Sequence, residues 1–386
     1  MSAFRRGEKI NMVFADVLYT CAGEPIENAL VSIIDDKIVG VRGNSKRPNT
    51  STKTMFAPIV APGFIDLQIN GAMDIQFTDN PSVKAVSAIV EGARKGGTAH
   101  VLPTFTSSPG DRYKKALSAV ESSRQLGILG ILGMHLEGPF LSPEKPGIHD
   151  ARHIREITEA DISNLSEFSG GKLLVTLAPE CQADGSIKKL NSRGVVVFAG
   201  HSNASSKEIE VAENEGLRGA THLFNAMSQL NSRSPGVVGG VLFSNTLYAG
   251  IIPDGHHVSW ENIGIAIKSL SGRIFLVTDA MSTLAGTQHD IIIHGKKVRL
   301  VNGMLTDDTG RLAGAHISMD ACVRNVVEKL NIPLQTTFEM VSKIPAEVLG
   351  LDNELGAIKT GYRASMTLLS ESCEALGVVV DGRGFE

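Results

Sequence analysis

The 386-residue sequence contains only four cysteines, and no two of them form a CxxC pair. Widely separated cysteines of this kind are typical of reduced, structural thiols in a cytosolic protein. We therefore expect the thiols to stay reduced and the protein to be cytoplasmic. The four positions are Cys21, Cys181, Cys322 and Cys373.

Long apolar runs are also missing from the sequence. No window approaches the roughly 18 uncharged apolar residues that a membrane-spanning helix needs. Near the N-terminus, Arg5 and Arg6 are not followed by the apolar stretch that a signal peptide requires. We therefore expect neither a signal peptide nor a membrane partner.

The sequence has no excess of charge of either sign. Lys and Arg together number 37, Asp and Glu number 41, and the formal net charge is −4 at pH 7. Proteins that bind nucleic acid usually present a basic stripe, so we expect no nucleic-acid partner.

The length of the chain predicts two domains. Single hydrophobic cores stop growing at roughly 250–300 residues, which this chain exceeds. Residues 1–58 and 351–386 share short apolar runs broken by Gly, Pro and Asp, a pattern typical of strands. We predict that both chain ends form one small β-sandwich-like domain and that residues 59–350 form a larger one.

Eight short apolar runs lie in the larger predicted domain, with helix-like segments between most of them. Alternating strands and helices predict a parallel sheet with crossover helices. Eight such units predict an α/β fold, a (β/α)₈ TIM-like barrel, in which chemistry occurs at the C-terminal ends of the strands. The runs finish at Asp66, Thr104, Glu137, Pro179, His201, His222, Asp254 and Asp279.

Three of these strand-end residues favour a metal site. A carboxylate such as Glu137, at the end of so apolar a run, is costly to bury unless it is paired or metal-bound. A lone strand-end histidine is more often a structural residue, but His201 and His222 end consecutive strands. Two imidazoles with one carboxylate suit Zn²⁺ or Fe²⁺ and leave open positions for water and substrate.

Asp279 is the candidate acid–base residue. In isolation it would be interpreted as a helix cap, but at the end of the eighth strand it would face the same barrel mouth. There a carboxylate could take a proton from metal-bound water, whose pKa is about 7, and deliver it to a leaving group.

Gln68 and Asn70 share one face of the first strand. Both are neutral and weak ligands, which argues against a second tightly held metal.

The motifs that carry these residues resemble a known family. Residues 62–71, PGFIDLQING, resemble the P-G-F-I-D-x-H-x-H-G signature of the amidohydrolase superfamily. The Q-x-N variant resembles the one in many N-acetylglucosamine-6-phosphate deacetylases. Other segments follow in that family's order, namely HLEGPF at 135–140, GHSNA at 200–204, THLFNAM at 221–227, DGHHV at 254–258 and LVTDA at 276–280.

The resemblance implies a reaction and roles for the central residues. The family removes the acetyl group of N-acetyl-D-glucosamine 6-phosphate. By resemblance, Glu137, His201 and His222 hold one divalent metal, which we expect to be zinc, with iron as the alternative. Asp279 is then the general base and later the acid, and His149 polarises the acetyl carbonyl.

The same resemblance implies a set of substrate contacts. Asn225 and Ala226 bind the sugar phosphate, and Arg233 is the phosphate arginine. His257 matches a phosphate-contacting histidine that the family supplies from a neighbouring subunit, which implies a homodimer. Gln68 and Asn70 complete the substrate-binding set.

Two other functions stay open from the sequence. An N-acetylgalactosamine-6-phosphate deacetylase would use the same site, because the sugars differ in the orientation of one hydroxyl group. A non-catalytic scaffold with this fold is the second alternative, although every expected ligand position is retained.

We expect the other histidines to be surface or loop residues, with His135 as a candidate to support the ligand shell: His100, His135, His153, His256, His289, His294 and His316.

Overall fold

The computed structural model describes residues 7–48 and 53–386, and the chain divides into two compact units. The first unit comprises the described residues of Met1–Asp66, Val90–Val101 and Ser318–Glu386. The second comprises Leu67–Ile89 and Leu102–Ile317. Every predicted site residue therefore belongs to the second unit.

Five strands lie in the described residues between 7 and 62. They are β1 (Glu8–Lys9), β2 (Met12–Leu18), β3 (Ile26–Ile34), β4 (Lys37–Arg42) and β5 (Thr54–Pro62). The DDK sequence at 35–37, between two apolar runs, predicts a hairpin, and β3 and β4 pair antiparallel with Ile34 opposite Lys37. Asp35 in the turn has a φ of 53°, a left-handed conformation that Asp tolerates better than most residues.

Parallel strands and helices alternate through the middle of the chain. The strands, including a small hairpin formed by β7 and β8, are β6 (Phe64–Ile69), β7 (Gly71–Ala72), β8 (Ile75–Gln76), β9 (Thr98–Thr106), β10 (Gly133–Glu137), β11 (Lys172–Leu177), β12 (Val196–Ala199), β13 (Gly219–Ala220), β14 (Tyr248–Ile251) and β15 (Ile274–Leu276). The helices are α1 (Val83–Lys95), α2 (Arg112–Gln125), α3 (Glu159–Ser166), α4 (Ser186–Asn191), α5 (Ser206–Asn214), α6 (Gly236–Phe243) and α7 (Trp260–Ser269).

Side-chain caps explain where two of these helices begin. Thr158 and Asp161 form a capping box at the start of α3, and Ser205 and Glu208 form one at the start of α5. Each box satisfies backbone N–H groups that a helix start would otherwise leave without partners. The SSKE sequence at 205–208 predicts the second box, and the structure contains it.

Eight strands form a nearly closed parallel barrel. Their order is β6-β9-β10-β11-β12-β13-β14-β15, which is the order of the chain. The last segment returns to the first, because the Asp279 N–H donates to the Gln68 carbonyl at 2.9 Å and Ile69 bridges Ala280 in parallel. All residues of β9 and β10 are buried, as expected for parallel strands covered on both faces.

A separate four-stranded antiparallel sheet follows the barrel strands. It contains β16 (Asp290–Ile293), β17 (Lys296–Val301), β18 (Met304–Asp307) and β19 (Leu312–Ala315), in that order. Its apolar core includes Ile291, Ile293, Val298, Leu305 and Ala313. Its short, half-exposed strands give little periodic signal, although the Asn302-Gly303 pair between β17 and β18 is a strong hairpin signal.

Three helices and three strands complete the chain. They are α8 (Met319–Leu330), α9 (Leu334–Val341), α10 (Lys343–Val348), β20 (Met366–Leu369), β21 (Ala375–Val380) and β22 (Arg383–Phe385). The spacing of apolar residues over 318–350 predicts two helices, which is wrong because the structure has three there. A proline inside a helix removes a hydrogen bond, so the helix ends at Val341 and a new one begins with Pro345 in its first turn.

Strands from both chain ends share one mixed sheet in the first unit. Its order is β1-β22-β21-β20-β5-β2-β3-β4, with β5 parallel to β2 and antiparallel to β20. The residues of its core come from both ends and include Val13, Val31, Val60, Met366 and Val379. None of the helices in the described ranges combines the length and the apolar character needed to cross a membrane.

Candidate active site

Four site residues lie at or just beyond strand ends. Glu137 is the last residue of β10, His201 and His222 each follow a strand by two residues, and Asp279 follows β15 by three. His201, His222 and Asp279 have φ values of 49°, 32° and 48°. Such left-handed conformations cost roughly 1–3 kcal/mol and persist where surrounding structure enforces them, often at functional sites.

Glu137, His201 and His222 converge on one point. Glu137 Oε1 lies 2.9 Å from His222 Nε2 and 3.1 Å from His201 Nε2, and the two Nε2 atoms are 3.2 Å apart. All three side chains are buried. Tetrahedral zinc with ligand bonds of about 2.0–2.1 Å requires ligand atoms about 3.3 Å apart. The three donor atoms therefore fit a single divalent ion.

The protonation of His201 supports the same conclusion. A carbonyl only accepts hydrogen bonds, so His201 Nδ1 donates to the Lys145 carbonyl, 3.0 Å away. In the neutral ring Nε2 then carries a lone pair and faces the Glu137 carboxylate oxygen, which is also an acceptor. Two such acceptors repel each other unless positive charge lies between them, so this donor set suits a cation.

Electrostatics keep Glu137 in the form that binds cations. Burial acts to raise the pKa of Glu137, but the adjacent His201 and His222 side chains hold that pKa well below the usual value. For His222, burial is outweighed by the bond to Glu137, which raises the pKa of the imidazole. The carboxylate is therefore ionised at neutral pH, as a metal ligand must be.

Two amide side chains orient Asp279. Asn70 Nδ2 donates to Asp279 Oδ1 at 2.7 Å, and Gln68 Nε2 donates to the same oxygen at 3.2 Å. Gln68 Nε2 also lies 3.1 Å from Glu137 Oε2. Burial and the nearby Glu137 carboxylate raise the pKa of Asp279 to about 6. A carboxyl group with this pKa can both take and release a proton near neutral pH.

His149 presents a neutral N–H group to the site. Its Nδ1 lies 2.9 Å from Ser107 Oγ and accepts from the Ser107 backbone N–H at 3.4 Å. Because the backbone group always donates, the ring hydrogen is on Nε2. Burial and the neighbouring His201, whose ring centroid is 4.4 Å away, hold the pKa of His149 well below its usual value.

A cavity of about 540 Å³ brings most predicted residues together. Its volume suits a ligand the size of a phosphorylated monosaccharide. Gln68 is not among the described residues that line it and contacts the site through the two carboxylates. The predicted residues that line it are Asn70, Glu137, His149, His201, His222, Asn225, Ala226, His257 and Asp279.

His257 corrects one prediction. We expected it to reach the site from a neighbouring subunit, but it lines the cavity of its own chain. The reason is Asp254, which follows β14: its Oδ2 accepts from His257 Nδ1 at 2.6 Å, and its Oδ1 accepts from the His257 backbone N–H at 2.9 Å. These bonds fix the ring at its own barrel mouth.

Arg233 lies outside the group of residues that the structure brings together. Its side chain is exposed, in the segment before α6, and it is not among the described residues that line the cavity. Asn225 Nδ2 donates to the His222 carbonyl at 3.2 Å, and Ala226 next to it has a φ of 47°. The structure therefore places two of the three predicted phosphate contacts on this segment at the cavity, but not the arginine.

Comparison with known proteins identifies the family. A profile of the amidohydrolase family matches residues 59–384. The chain belongs to the amidohydrolase family. Among amidohydrolases it is 35% identical to an N-acetylglucosamine-6-phosphate deacetylase of Haemophilus influenzae, over 83% of this chain and 85% of the relative. It is 34% identical to an N-acetylgalactosamine-6-phosphate deacetylase of a Shewanella species, over 93% of this chain and 92% of the relative.

Solved structures agree with the sequence comparison. The crystal structure of N-acetylglucosamine-6-phosphate deacetylase from Pasteurella multocida superposes with a TM-score of 0.91 at 33% identity, covering 96% of this chain and 98% of that one. The resemblance predicted from the motifs is thus confirmed, both for the amidohydrolase superfamily and for the deacetylases within it.

Some residues of the amidohydrolase site were missed or misjudged from the sequence. His100 is buried, so the expectation of a surface or loop residue was wrong, and His135, the candidate to support the ligand shell, is buried as well. His135 Nε2 lies 2.7 Å from Thr176 Oγ1 and supports the barrel interior. His294 is half-buried and stacks on His149 at 5.6 Å. Its isolated position, before Gly295 in a turn, gave no sequence signal for this contact.

Proposed function

We propose that this amidohydrolase removes the acetyl group of N-acetyl-D-glucosamine 6-phosphate to give D-glucosamine 6-phosphate and acetate. The observation that carries the proposal is the convergence of Glu137, His201 and His222 beside Asp279 in one cavity. The deacetylase relatives at 35% and 34% identity support the same reaction class.

We infer that Glu137, His201 and His222 hold one divalent ion, with zinc as the expected metal and iron as the alternative. When bound, such an ion polarises a carbonyl oxygen and lowers the pKa of a coordinated water. The amides of Gln68 and Asn70 are engaged with Asp279. Since both side chains are neutral and already hydrogen-bonded, we expect no second tightly bound ion there.

Asp279 is the proposed general base and acid. Both amide hydrogen bonds fall on Oδ1, which leaves Oδ2 to take a proton from the attacking water. The raised pKa keeps the carboxylate basic enough to accept that proton and acidic enough to pass it to the departing amine nitrogen.

His149 is the proposed electrophile. Its Nε2–H can donate to the acetyl oxygen, where negative charge develops in the transition state. One such donor lowers the barrier by about 3–4 kcal/mol. Because His149 is neutral, donating this hydrogen bond requires no prior proton uptake.

The phosphate contacts proposed for this chain are Asn225, Ala226, His257 and Arg233. The first three line the cavity, while Arg233 is exposed. If Arg233 contacts the substrate phosphate, it therefore does so from a second copy of the chain. This keeps the predicted homodimer as a proposal, with Arg233 rather than His257 crossing the interface.

The galactosamine epimer is the second candidate substrate. The Shewanella relative, matched over 93% of this chain, carries that name. The two substrates differ in one hydroxyl orientation, so the metal ligands and Asp279 would act in the same way on both. A non-catalytic scaffold is disfavoured by the intact group of ligand atoms.

Two further proposals concern the whole chain. We propose a cytoplasmic location, in keeping with the finding that the four cysteines of the described chain form no disulfide. We also propose that residues 1–58 and 351–386 form a small β-sandwich-like domain and that residues 59–350 form the catalytic barrel. Strands from both ends in one sheet support this division.

An acetate-release assay tests the proposed function. Purified protein is given both N-acetylated sugars with and without the 6-phosphate. We expect turnover of N-acetyl-D-glucosamine 6-phosphate and slow or no turnover without the phosphate. Preference for the galactosamine epimer would select the second candidate, and no acetate from any of the four sugars would refute deacetylation.

A further inference from the structure

The four-stranded sheet β16–β19 contacts three consecutive residues of one active-site loop. Arg311, between β18 and β19, donates from Nη1 to the Gly147 carbonyl at 2.9 Å. Ile148 packs against the apolar core of the sheet. The ring of His294 stacks on that of His149, with centroids 5.6 Å apart and planes at 27°. The sheet therefore holds the loop that carries the proposed electrophile.

His294 occupies a defined position in this sheet. It lies in the turn between β16 and β17, where His294 and Gly295 have φ values of 49° and 77°. Two consecutive positive φ values are typical of tight two-residue hairpin turns. Its Nε2 lies 3.1 Å from Thr106 Oγ1. The ring is thus fixed both by its backbone and by a hydrogen bond.

The end of β9 holds both stacked rings. Thr106 contacts His294, and the next residue, Ser107, contacts Nδ1 of His149. Thr106 is held in turn by Thr78, since its backbone N–H donates to Thr78 Oγ1 at 2.9 Å. The last residue of β9 and the residue that follows it therefore set the relative position of the two imidazoles.

We propose that His294 is a positioning residue for His149. Its ring fixes the plane of the His149 imidazole and so keeps Nε2–H directed into the cavity. His294 is not among the described residues that line the cavity, so its effect passes through His149. The proposal rests on the proposed function, in which His149 donates to the reacting carbonyl. Positions of catalytic groups matter because a displacement of about 1 Å can lower a rate about 100-fold.

A matched pair of variants tests the proposal. His294→Leu fills the space but lacks a flat ring, and His294→Phe restores the ring without the nitrogen. In both, Thr106 Oγ1 keeps Thr78 Oγ1 as a partner at 2.9 Å, and both place an unbranched Cβ at the same positive φ. His289→Ala, at an exposed histidine just before β16, is the control.

We expect His294→Leu to lower kcat about 10-fold or more with KM changed less than about 2-fold. His294→Phe should recover most of the loss, and His289→Ala should match the wild type. Wild-type kcat in His294→Leu, an equal loss in His294→Phe and His294→Leu, or a change confined to KM would overturn the proposal.

A second readout does not depend on activity. In protein labelled with ¹⁵N histidine, the ring nitrogens of His149 report which nitrogen carries hydrogen. We expect a single Nε2–H form in the wild type and in His294→Phe, and averaged signals in His294→Leu. Identical His149 signals in all three proteins would refute the positioning role. A wild type that releases no acetate would instead refute the proposed function, while the ring signals still decide the role of His294.

Discussion

At the scale of single residues, the site depends on which atoms carry hydrogen. His201 donates from Nδ1 to the Lys145 carbonyl, and His149 accepts at Nδ1 from the Ser107 N–H. These two backbone contacts give neighbouring imidazoles opposite tautomers. One ring therefore offers a lone pair for a cation, and the other offers an N–H group for a developing oxyanion.

Replacing Asp279 by Asn tests the proton-transfer role. The amide has nearly the same shape, but it cannot accept the proton of the attacking water. We expect kcat to fall by about 100-fold or more, since general acid–base catalysis contributes about 10²–10⁴-fold. Bound metal and the far-UV circular dichroism spectrum should not change. Near-native turnover by Asp279→Asn would show that another group moves the proton.

Replacing Glu137 by Gln tests the ligand role. The neutral amide keeps the shape of the side chain but loses the charge that two imidazoles contact. We expect bound metal, measured by elemental analysis, to fall from about one equivalent to below half. His289→Gln, at an exposed histidine, serves as the control and should retain the metal. Full metal content in Glu137→Gln would exclude Glu137 as a principal ligand.

At the scale of elements, Asp161 in the first turn of α3 connects several segments. Its carboxylate accepts from the Thr158 backbone N–H at 2.9 Å, from Tyr113 of α2 at 2.8 Å, and from Arg155 at 2.6 and 2.8 Å. Burial opposes ionisation, but these donors hold the pKa of Asp161 well below its usual value. The charged carboxylate therefore stabilises the folded state.

Because the pKa of Asp161 is lower in the folded than in the unfolded protein, its contribution to the free energy of unfolding should decrease in acid. The folded pKa lies below the unfolded value of about 3.9, so the contribution is present above pH 4 and is lost as the pH falls further. We expect Asp161→Asn to lower the free energy of unfolding at pH 7 by about 1–3 kcal/mol. In urea titrations the difference from the wild type should narrow below pH 4.

An exposed ion pair provides the control for that measurement. Asp111 contacts Lys114, and their side chains are 62% and 46% exposed. Asp111→Asn should change stability by less than about 1 kcal/mol. Equal losses in the two variants, or a difference for Asp161→Asn that does not narrow in acid, would contradict the assignment.

The sequence predicted much of the fold at this scale. The eight barrel strands were predicted from short apolar runs, and the helix cap at Ser205 was predicted from the SSKE motif. Both signals are local, because each spans only a few consecutive residues. The sheet β16–β19 was missed because its strands are short and half-exposed. The contact between His294 and His149 joins residues 145 positions apart, so no local pattern could indicate it.

At the scale of the whole molecule, the parallel strand order brings the polar residues that end the barrel strands to one site. The carboxyl ends of parallel strands meet at one end of a barrel, which is why Glu137, His201, His222 and Asp279 were predicted as a group. The sequence could not place Arg233 or His257, because both lie on segments beyond strand ends whose paths depend on tertiary contacts such as that of Asp254 with His257.

The proposed homodimer makes a prediction about mass. Light scattering should give twice the 41.0 kDa of one chain.

If Arg233 acts across the interface, Arg233→Ala should raise KM for the phosphorylated sugar while the protein remains dimeric. Arg218→Ala, at a cation that contacts Tyr248 of its own chain, should leave KM unchanged. A fully active monomer would contradict the dimer proposal.

The central claim is that Glu137, His201 and His222 hold one divalent ion that hydrolysis requires. Its most direct test is to titrate zinc into chelator-treated protein and to measure acetate release from N-acetyl-D-glucosamine 6-phosphate at each step. We predict no turnover without metal and a linear rise to a plateau at one equivalent. Full turnover without metal, or a plateau only at two equivalents, would contradict the account.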